Sequence, residues 1–513
     1  MPLLSGLLIA TSYIPFPPWA APFCFVPLWL FWLRESSTRK ILWGGWLAQF
    51  VFCGIAFHWI PRTIHDFGDL PWAAGAAALL SFAAFGHLFF VLAGLSFALL
   101  RKRFRLSPGA QRALLPFVTA ACWASVPMLF PWNLGYPWLA ARLPAFQLAE
   151  FTGFAGLGLL TLVLNLVVLA AWERRRERNG AYLLAGAALF FLLLNGAGWL
   201  AAESLPPPDA TARILAVQGN IASLEKAAAE TREDARIAVL GRYFGLTRRG
   251  LSEADGPPDF AVWPETAFPW LLQPGAMEGG AAVVLREFVR NHALPLVTGA
   301  PGTEAGGKRR TNSMAFLGAD GGLADRRYDK SRLLAFGERL PLAGAFPGIR
   351  RWLPRAGDFA PGPGPGIRRL SGIRIGPQIC YEGLFPDLSR ALAAQGAQIF
   401  VNVTNDSWFG TSAEPYQHLY MTMARGIEFR LPILRATNTG ITAAMAADGT
   451  FLAVSPPGAE WVNLYEIPFR KEPEPTFYQV YGYRLFAALP WLAVACILVA
   501  GRKALPSPTD PAG

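Results

Sequence analysis

Of the five cysteines in this 513-residue chain, Cys380 stands apart. The other four, Cys24, Cys53, Cys122 and Cys496, fall in long apolar runs, where a thiol usually packs as a small apolar group. Cys380 ends the strand-like run 373–379 and is followed by Tyr381-Glu382-Gly383. A nucleophile at a strand end, presented on a turn, is a common active-site arrangement. A buried inert thiol fits the same pattern, so Cys380 alone decides nothing. Three other residues shift the balance. Glu265 follows an apolar run in Trp263-Pro264-Glu265, at a second strand exit. Lys330 lies in Tyr328-Asp329-Lys330, after a turn at Gly321-Gly322. Glu338 comes eight residues later in Phe336-Gly337-Glu338. Each alone reads as a solvated charge. Together they supply a thiol, a base and an ammonium, which is what acyl transfer needs. A Glu in a dry site with a raised pKa takes the thiol proton. A Lys stabilises the thiolate and the oxyanion of the tetrahedral intermediate. The thiol attacks an acyl carbon and holds it as a thioester.

The five histidines (His58, His65, His87, His292, His418) show no metal-ligand spacing, so neither a metal site nor a cofactor is expected. The elements that must position the four groups lie between about residues 205 and 478. Apolar, β-rich runs appear at 213–217, 260–263, 294–297, 373–379, 399–403 and 433–435, and helical patterns fill 223–248, 278–292, 386–395 and 414–430. Such alternation, with Gly, Pro and Asn turns between, indicates a layered α/β domain. Pro206-Pro207-Pro208 marks the way in, and Glu472-Pro473-Glu474-Pro475 the way out.

The rest of the chain is of another kind. Overall 53% of residues are hydrophobic and only 16% charged, against about 25% charged in ordinary soluble domains. The excess lies in residues 1–204 and 479–513. A bilayer core takes about 20 apolar residues as a helix. Spans are expected at 3–14, 17–33, 41–60, 72–100, 113–130, 153–172, 181–200 and 485–501, the first being retained rather than cleaved. Loops 34–40, 101–112 and 173–178 and the tail after 501 hold fourteen Lys and Arg, while loops 61–71 and 131–152 hold only Arg62 and Arg142. Basic loops stay in the cytoplasm. Eight spans then put both termini inside and the α/β domain outside. The basic loops and tail account for ten of the formal +11 charges. The basic balance is therefore a topology signal, and no nucleic-acid partner is expected. It also places Cys380, with no disulfide partner, in an oxidising compartment.

Glu265, Lys330 and Cys380, in these contexts, resemble the Glu-Lys-Cys triad of the nitrilase superfamily. With the spans, the whole chain resembles the apolipoprotein N-acyltransferase family. Further motifs carry the likeness: Val217-Gln218-Gly219-Asn220-Ile221, Val297-Thr298-Gly299-Ala300-Pro301, Asn312, Asn405-Asp406-Ser407-Trp408-Phe409-Gly410 and Arg435-Ala436-Thr437-Asn438-Thr439-Gly440. The resemblance implies Cys380 as nucleophile, Glu265 as general base and Lys330 as oxyanion partner. It implies that Glu338 places the lysine and later handles the amine proton, and that Tyr381 and Glu382 shape the site. It implies an α-β-β-α sandwich on an eight-helix membrane base, in the bacterial inner membrane, with the catalytic domain periplasmic. The implied donor is a phospholipid of the phosphatidylethanolamine type. The implied acceptor is the α-amine of an S-diacylglyceryl-cysteine apolipoprotein. One departure is the run 222–230, which lacks the tryptophan that the family often has there.

A lipid substrate agrees with elementary energetics. Both donor and acceptor are anchored by about 0.8 kcal/mol per buried CH₂, so the site must lie at the membrane surface. Two segments are expected to form a mobile apolar lid there: 266–272, with Phe268 and Trp270, and 343–353, with Phe346 and Trp352. The rival reading is a membrane-tethered nitrilase or amidase acting on a small C–N substrate. One span suffices for a tether, so eight favour lipid transfer. A transporter with an inert outer domain is disfavoured, because the spans hold few ionisable residues beyond His87. His87 is expected to hydrogen-bond within the helix bundle. The oligomeric state is left open.

Overall fold

The computed structural model describes residues 1–501 except 67, 274, 276, 305, 308, 342, 344–347 and 349–356. Two compact units emerge. One holds Met1–His58, Ala77–Leu200 and the chain from Tyr481; the other holds Trp59–Ala76 and Ala201–Val480.

The first unit is helical. Among the described residues, four helical stretches are long and apolar enough to cross a bilayer: Trp72–Arg103, Pro144–Glu173, Arg178–Glu203 and Tyr478–Ala500. A fifth arises if Thr38–Ala56 and Ile60–Asp66, bent by 53°, count as one. These helices mark a membrane protein, but they do not reproduce the expected eight. Where spans 3–14 and 17–33 were expected, the helices are Pro2–Ala10 and Val26–Arg34, nine residues each. At 1.5 Å per residue each covers about half a hydrocarbon core. Pro15, Pro17 and Pro18 lie between them, and proline lacks the N–H that a continuing helix needs. Inside the unit Trp132 packs against Phe52, Phe89 and Phe90. His87 meets Cys53 Sγ at 3.1 Å and the Phe130 carbonyl at 3.4 Å, as expected of a bundle histidine. Helix Arg178–Glu203 leaves Leu184, Leu189, Leu192, Leu193 and Trp199 exposed; a bare apolar face of this extent suits lipid, not water.

The second unit is a sandwich of two six-stranded sheets. The first runs β12 (Trp461–Phe469), β1 (Ala210–Gln218), β2 (Phe260–Val262), β3 (Leu296–Thr303), β4 (Arg310–Leu317), β5 (Tyr328–Asp329). The second runs β11 (Phe451–Val454), β10 (Ala443–Met445), β9 (Ile433–Thr437), β8 (Ile399–Thr404), β7 (Ile373–Ile379), β6 (Arg368–Leu370). In each sheet three central strands are parallel, β1-β2-β3 and β7-β8-β9, and the flanking pairs are antiparallel. The sheets face each other, with β1 against β9 and β4 against β7. Helices Ser223–Thr231, Glu233–Glu253 and Gly280–Asn291 serve the first sheet, where Phe244 and Phe288 pack on Trp263 and Leu215. Helices Pro386–Ala394 and Glu414–Phe429 cover the second. The layers are therefore helix, sheet, sheet, helix.

The six strand-like runs read from the sequence are the six parallel strands. Strands covered on both faces are written as unbroken apolar runs. The antiparallel flanks do not read that way. Segment 59–76 is a further surprise. It sits between apolar helices in sequence but belongs to the sandwich unit. The Trp59 indole donates to Gln417 Oε1 at 3.2 Å and meets the Phe409 ring edge-on at 5.2 Å. Arg62 packs over Gly410, where a Cβ would come within 3.1 Å of it.

Candidate active site

The chemistry-bearing residues gather at the carboxyl ends of the parallel strands, where open α/β sheets place their ligands. Glu265 follows β2, Cys380 follows β7, and Asn405-Asp406 follow β8. The exits are tight. Cys380 has φ +53° and Thr266 φ +54°, a left-handed backbone that costs a non-glycine residue roughly 1–2 kcal/mol. Gly299 of β3 makes room for the Glu265 exit: a Cβ there would meet Thr266 N at 2.5 Å and Glu265 Cα at 2.6 Å.

Lys330 leaves β5 and turns inward, 1% exposed. Its Nζ lies 2.8 Å from Glu338 Oε2 and 3.5 Å from Glu265 Oε1. Asn312 of β4 spans the two carboxylates, its Nδ2 donating at 2.6 Å to Glu265 and 2.8 Å to Glu338. Glu338 also accepts from the Leu334 N–H at 2.9 Å. Two buried carboxylates thus face one ammonium. A second ammonium, Lys226, donates to the Glu265 carbonyl and to Thr266 Oγ1, both at 3.0 Å. Burial pulls the Lys226 pKa down to about 8, against the attraction of Glu265.

Burial raises the Glu265 pKa above the ordinary carboxylate value; Lys330 opposes this, and the like charge of Glu338 adds to it. Lys330 stays charged: burial works against its proton, but Glu338, Cys380 and Glu265 more than compensate. The Cys380 thiol is pushed up by burial and by Glu265, with Lys330 pulling the other way. It is therefore a thiol at neutral pH and needs a base beside it at the moment of attack. Glu265, Lys330 and Glu338 are all within electrostatic reach of it.

Glu382 ties the two sheets together at this point. Its carboxylate accepts from Tyr328 Oη at 2.9 Å, Ser331 N at 2.7 Å, Ser331 Oγ at 2.8 Å, Arg332 N at 3.1 Å and Ile379 N at 2.9 Å. An ionised carboxylate is acceptor-only and holds such a set of donors well. Those donors flank Lys330 on one side and Cys380 on the other. Tyr381 packs edge-on against Phe385 at 4.8 Å, and burial pushes its pKa up to about 12.

Two of the expected lid residues are placed otherwise. Phe268 is fully buried in the core beneath the first sheet. Trp270 lies against it at 5.2 Å and donates to Glu233 Oε1 at 3.2 Å. Phe268 packs as core with the residues of the helices over β1 and β2, while Trp270 is partly buried against them and Leu271 stays exposed. Phe346 and Trp352 lie outside the described residues. Spacing missed other site groups: Lys226, Asn402 and the cluster Asp406, Glu414 and His418. A polar residue inside an apolar strand run, such as Asn402 in β8 or Arg435 in β9, was the available signal, since such a residue must find a buried partner.

Residues 206–471 match the carbon-nitrogen hydrolase family, and residues 5–167 match the apolipoprotein N-acyltransferase N-terminal domain. The chain is 38% identical to an apolipoprotein N-acyltransferase of Bdellovibrio bacteriovorus, over 98% of this chain and 93% of that one. It is 31% identical to one of Geobacter metallireducens, over 98% and 96% respectively. Among solved structures, an amidase of Nesterenkonia sp. AN1 is 20% identical, with a TM-score of 0.37, covering 52% of this chain and 94% of that chain. With both regions matched and the identity running from end to end, the chain belongs to the apolipoprotein N-acyltransferase family.

Proposed function

We propose that this chain moves a fatty acyl group from a membrane phospholipid, of the phosphatidylethanolamine type, to the N-terminal α-amine of S-diacylglyceryl-cysteine apolipoproteins, the last step of lipoprotein maturation. The observation that carries the reading is the buried Glu265–Lys330–Glu338 cluster beside the left-handed Cys380 turn, in a chain of this family with bilayer-length helices. Glu265 takes the Cys380 proton as sulfur attacks the ester carbon. Lys330 balances the oxyanion. The glycerol C–O bond breaks, Glu265 returns the proton to the leaving alkoxide, and a thioester remains. The acceptor amine then attacks, gives up its proton to the carboxylates at Glu265 and Glu338, and displaces sulfur to leave an amide.

Crossings by the bilayer-length helices, with residues 1–204 and the last span in the membrane, the tail after 501 cytoplasmic and 205–478 periplasmic, fit this chemistry and the distribution of basic loops. The packing of 59–76 within the sandwich unit supports that orientation, because loop 61–71 is expected on the same side. Phe346 and Trp352 are assigned to an apolar lid that shields the thioester from water. Phe346→Asp and Trp352→Asp are expected to lower acyl transfer by membrane-bound enzyme; unchanged transfer in both would remove the lid.

Incubation of purified protein with phospholipid is expected to add one acyl chain, seen by intact mass. A diacylated lipopeptide amine should discharge that adduct much faster than water does. Rapid discharge by water alone, or turnover of small amides without any lipid adduct, would favour the amidase reading instead.

A further inference from the structure

Beneath the turn that carries Cys380 lies a buried polar network that the acyl-transfer steps do not use. Asn402 sits in β8 among Ile, Phe, Val and Thr. Its Nδ2 donates to the Cys380 carbonyl at 3.1 Å, and its Oδ1 accepts from Arg435 Nη1 at 3.2 Å. Arg435 Nη2 donates to Asp406 Oδ2 at 2.5 Å, and Asp406 Oδ1 faces His418 Nδ1 at 3.0 Å. Asn402 and Arg435 are 0% exposed, Asp406 1% and His418 5%. Glu414 closes the cluster 3.6 Å from His418 Nδ1.

Asp406, Glu414 and His418 present ligand atoms close enough together for a metal ion. The Arg435 guanidinium already pairs with Asp406 there, and a second cation in the same dry interior would repel it. The network therefore reads as an internal ion pair with an outlet. That outlet is Asn402. An amide side chain has a donor end and an acceptor end, and its neighbours decide which way it faces. Arg435 has donors only, so it draws Oδ1 toward itself and leaves the NH₂ group for the Cys380 carbonyl. Asp406 holds Arg435 in place. In a planar trans peptide the Tyr381 N–H points opposite to the Cys380 carbonyl, so pinning one aims the other. With Cys380 at φ +53°, this peptide needs an outside hold.

We propose that Asn402, Arg435 and Asp406 are positioning residues for acyl transfer: they lock the Cys380–Tyr381 peptide so that its N–H faces the developing oxyanion. The inference rests on the Cys380 reading above. Asn402→Asp tests it, because it keeps the volume and a partner for Arg435 but removes the donor to Cys380. Two rates are measured on detergent-solubilised full chain. The burst from p-nitrophenyl butyrate needs an oxyanion site; alkylation of Cys380 by iodoacetamide, followed over a pH series to full thiol ionisation, needs only a thiolate. Loss of an oxyanion donor costs about 10²–10³ in rate, so the burst is expected to fall at least about 30-fold with limiting alkylation nearly unchanged. Asp406→Asn, which loosens Arg435 and weakens the contact to His418 while leaving the Asn402 donor in place, should show the same pattern more weakly. Parallel changes in the two rates, or no change in either, would overturn the proposal. A wild-type chain alkylated at Cys380 but giving neither burst nor lipid adduct would sink the Cys380 reading itself.

Discussion

Cys380→Ala is expected to yield a folded protein that forms no acyl adduct and transfers nothing. Removing a covalent nucleophile costs about 10⁴–10⁶ in turnover, below detection for a lipid enzyme. The fold should survive. Ala tolerates the left-handed turn no worse than Cys, and Glu382, Asn402 and the Ile379 N–H hold that turn without the sulfur. The melting temperature should therefore move by only a few degrees, as for a small core truncation of about 1 kcal/mol. Intact mass after incubation with phospholipid, read beside the melting curve, checks both halves. An adduct on the alanine variant would place the acyl group elsewhere and end the Cys380 account.

Lys330→Met is expected to be nearly as damaging, for a different reason. The side chain keeps its length and loses its charge. Glu265 and Glu338 are then left facing each other without the ammonium between them. Like carboxylates in one buried site cannot both ionise, so one takes a proton. In the wild type the Glu265 pKa is raised, chiefly by burial, with Lys330 holding it down. A general base works only when ionised, so the rate should fall as pH drops through that raised value, above the ordinary carboxylate range. Without Lys330 the pKa rises further and the acid limb moves to higher pH. At neutral pH the loss combines this effect with a missing oxyanion partner, and should reach about 10³ or more. The burst rate against pH is the measurement. A variant within tenfold of wild type, or an acid limb moving down, would refute the role given to Lys330.

The sequence shows some of this plainly and hides the rest for physical reasons. Cys380 and Glu265 stand out because strand exits are readable: apolar runs end there, and a reactive residue follows. Lys330 follows no apolar run and stands out only by its type after the Gly321-Gly322 turn. β4 is opaque. It opens Arg310-Thr311-Asn312-Ser313, which looks like a loop, yet Thr311, Asn312 and Ser313 are buried because Asp329, Glu265 and Glu338 satisfy them. Phe268 and Trp270 misled in the opposite direction. An aromatic stretch next to a catalytic carboxylate invites a lid, but apolar side chains are first of all core material. The half-length helices near the N-terminus show the same limit: hydropathy counts apolar residues and does not see that three prolines break the run.

Trp59 and Arg62 hold a last consequence. Their seats, on Gln417, Phe409 and Gly410, belong to the stretch that also carries Asp406 and His418. Anyone wishing to crystallise a water-soluble fragment would cut near residue 201 and again near 480. That fragment leaves its own missing piece behind, with a greasy socket open beside the polar network. Sewing residues 59–76 back on through a flexible tether should restore solubility, because where a chain can be divided is decided by what touches, not by what is consecutive.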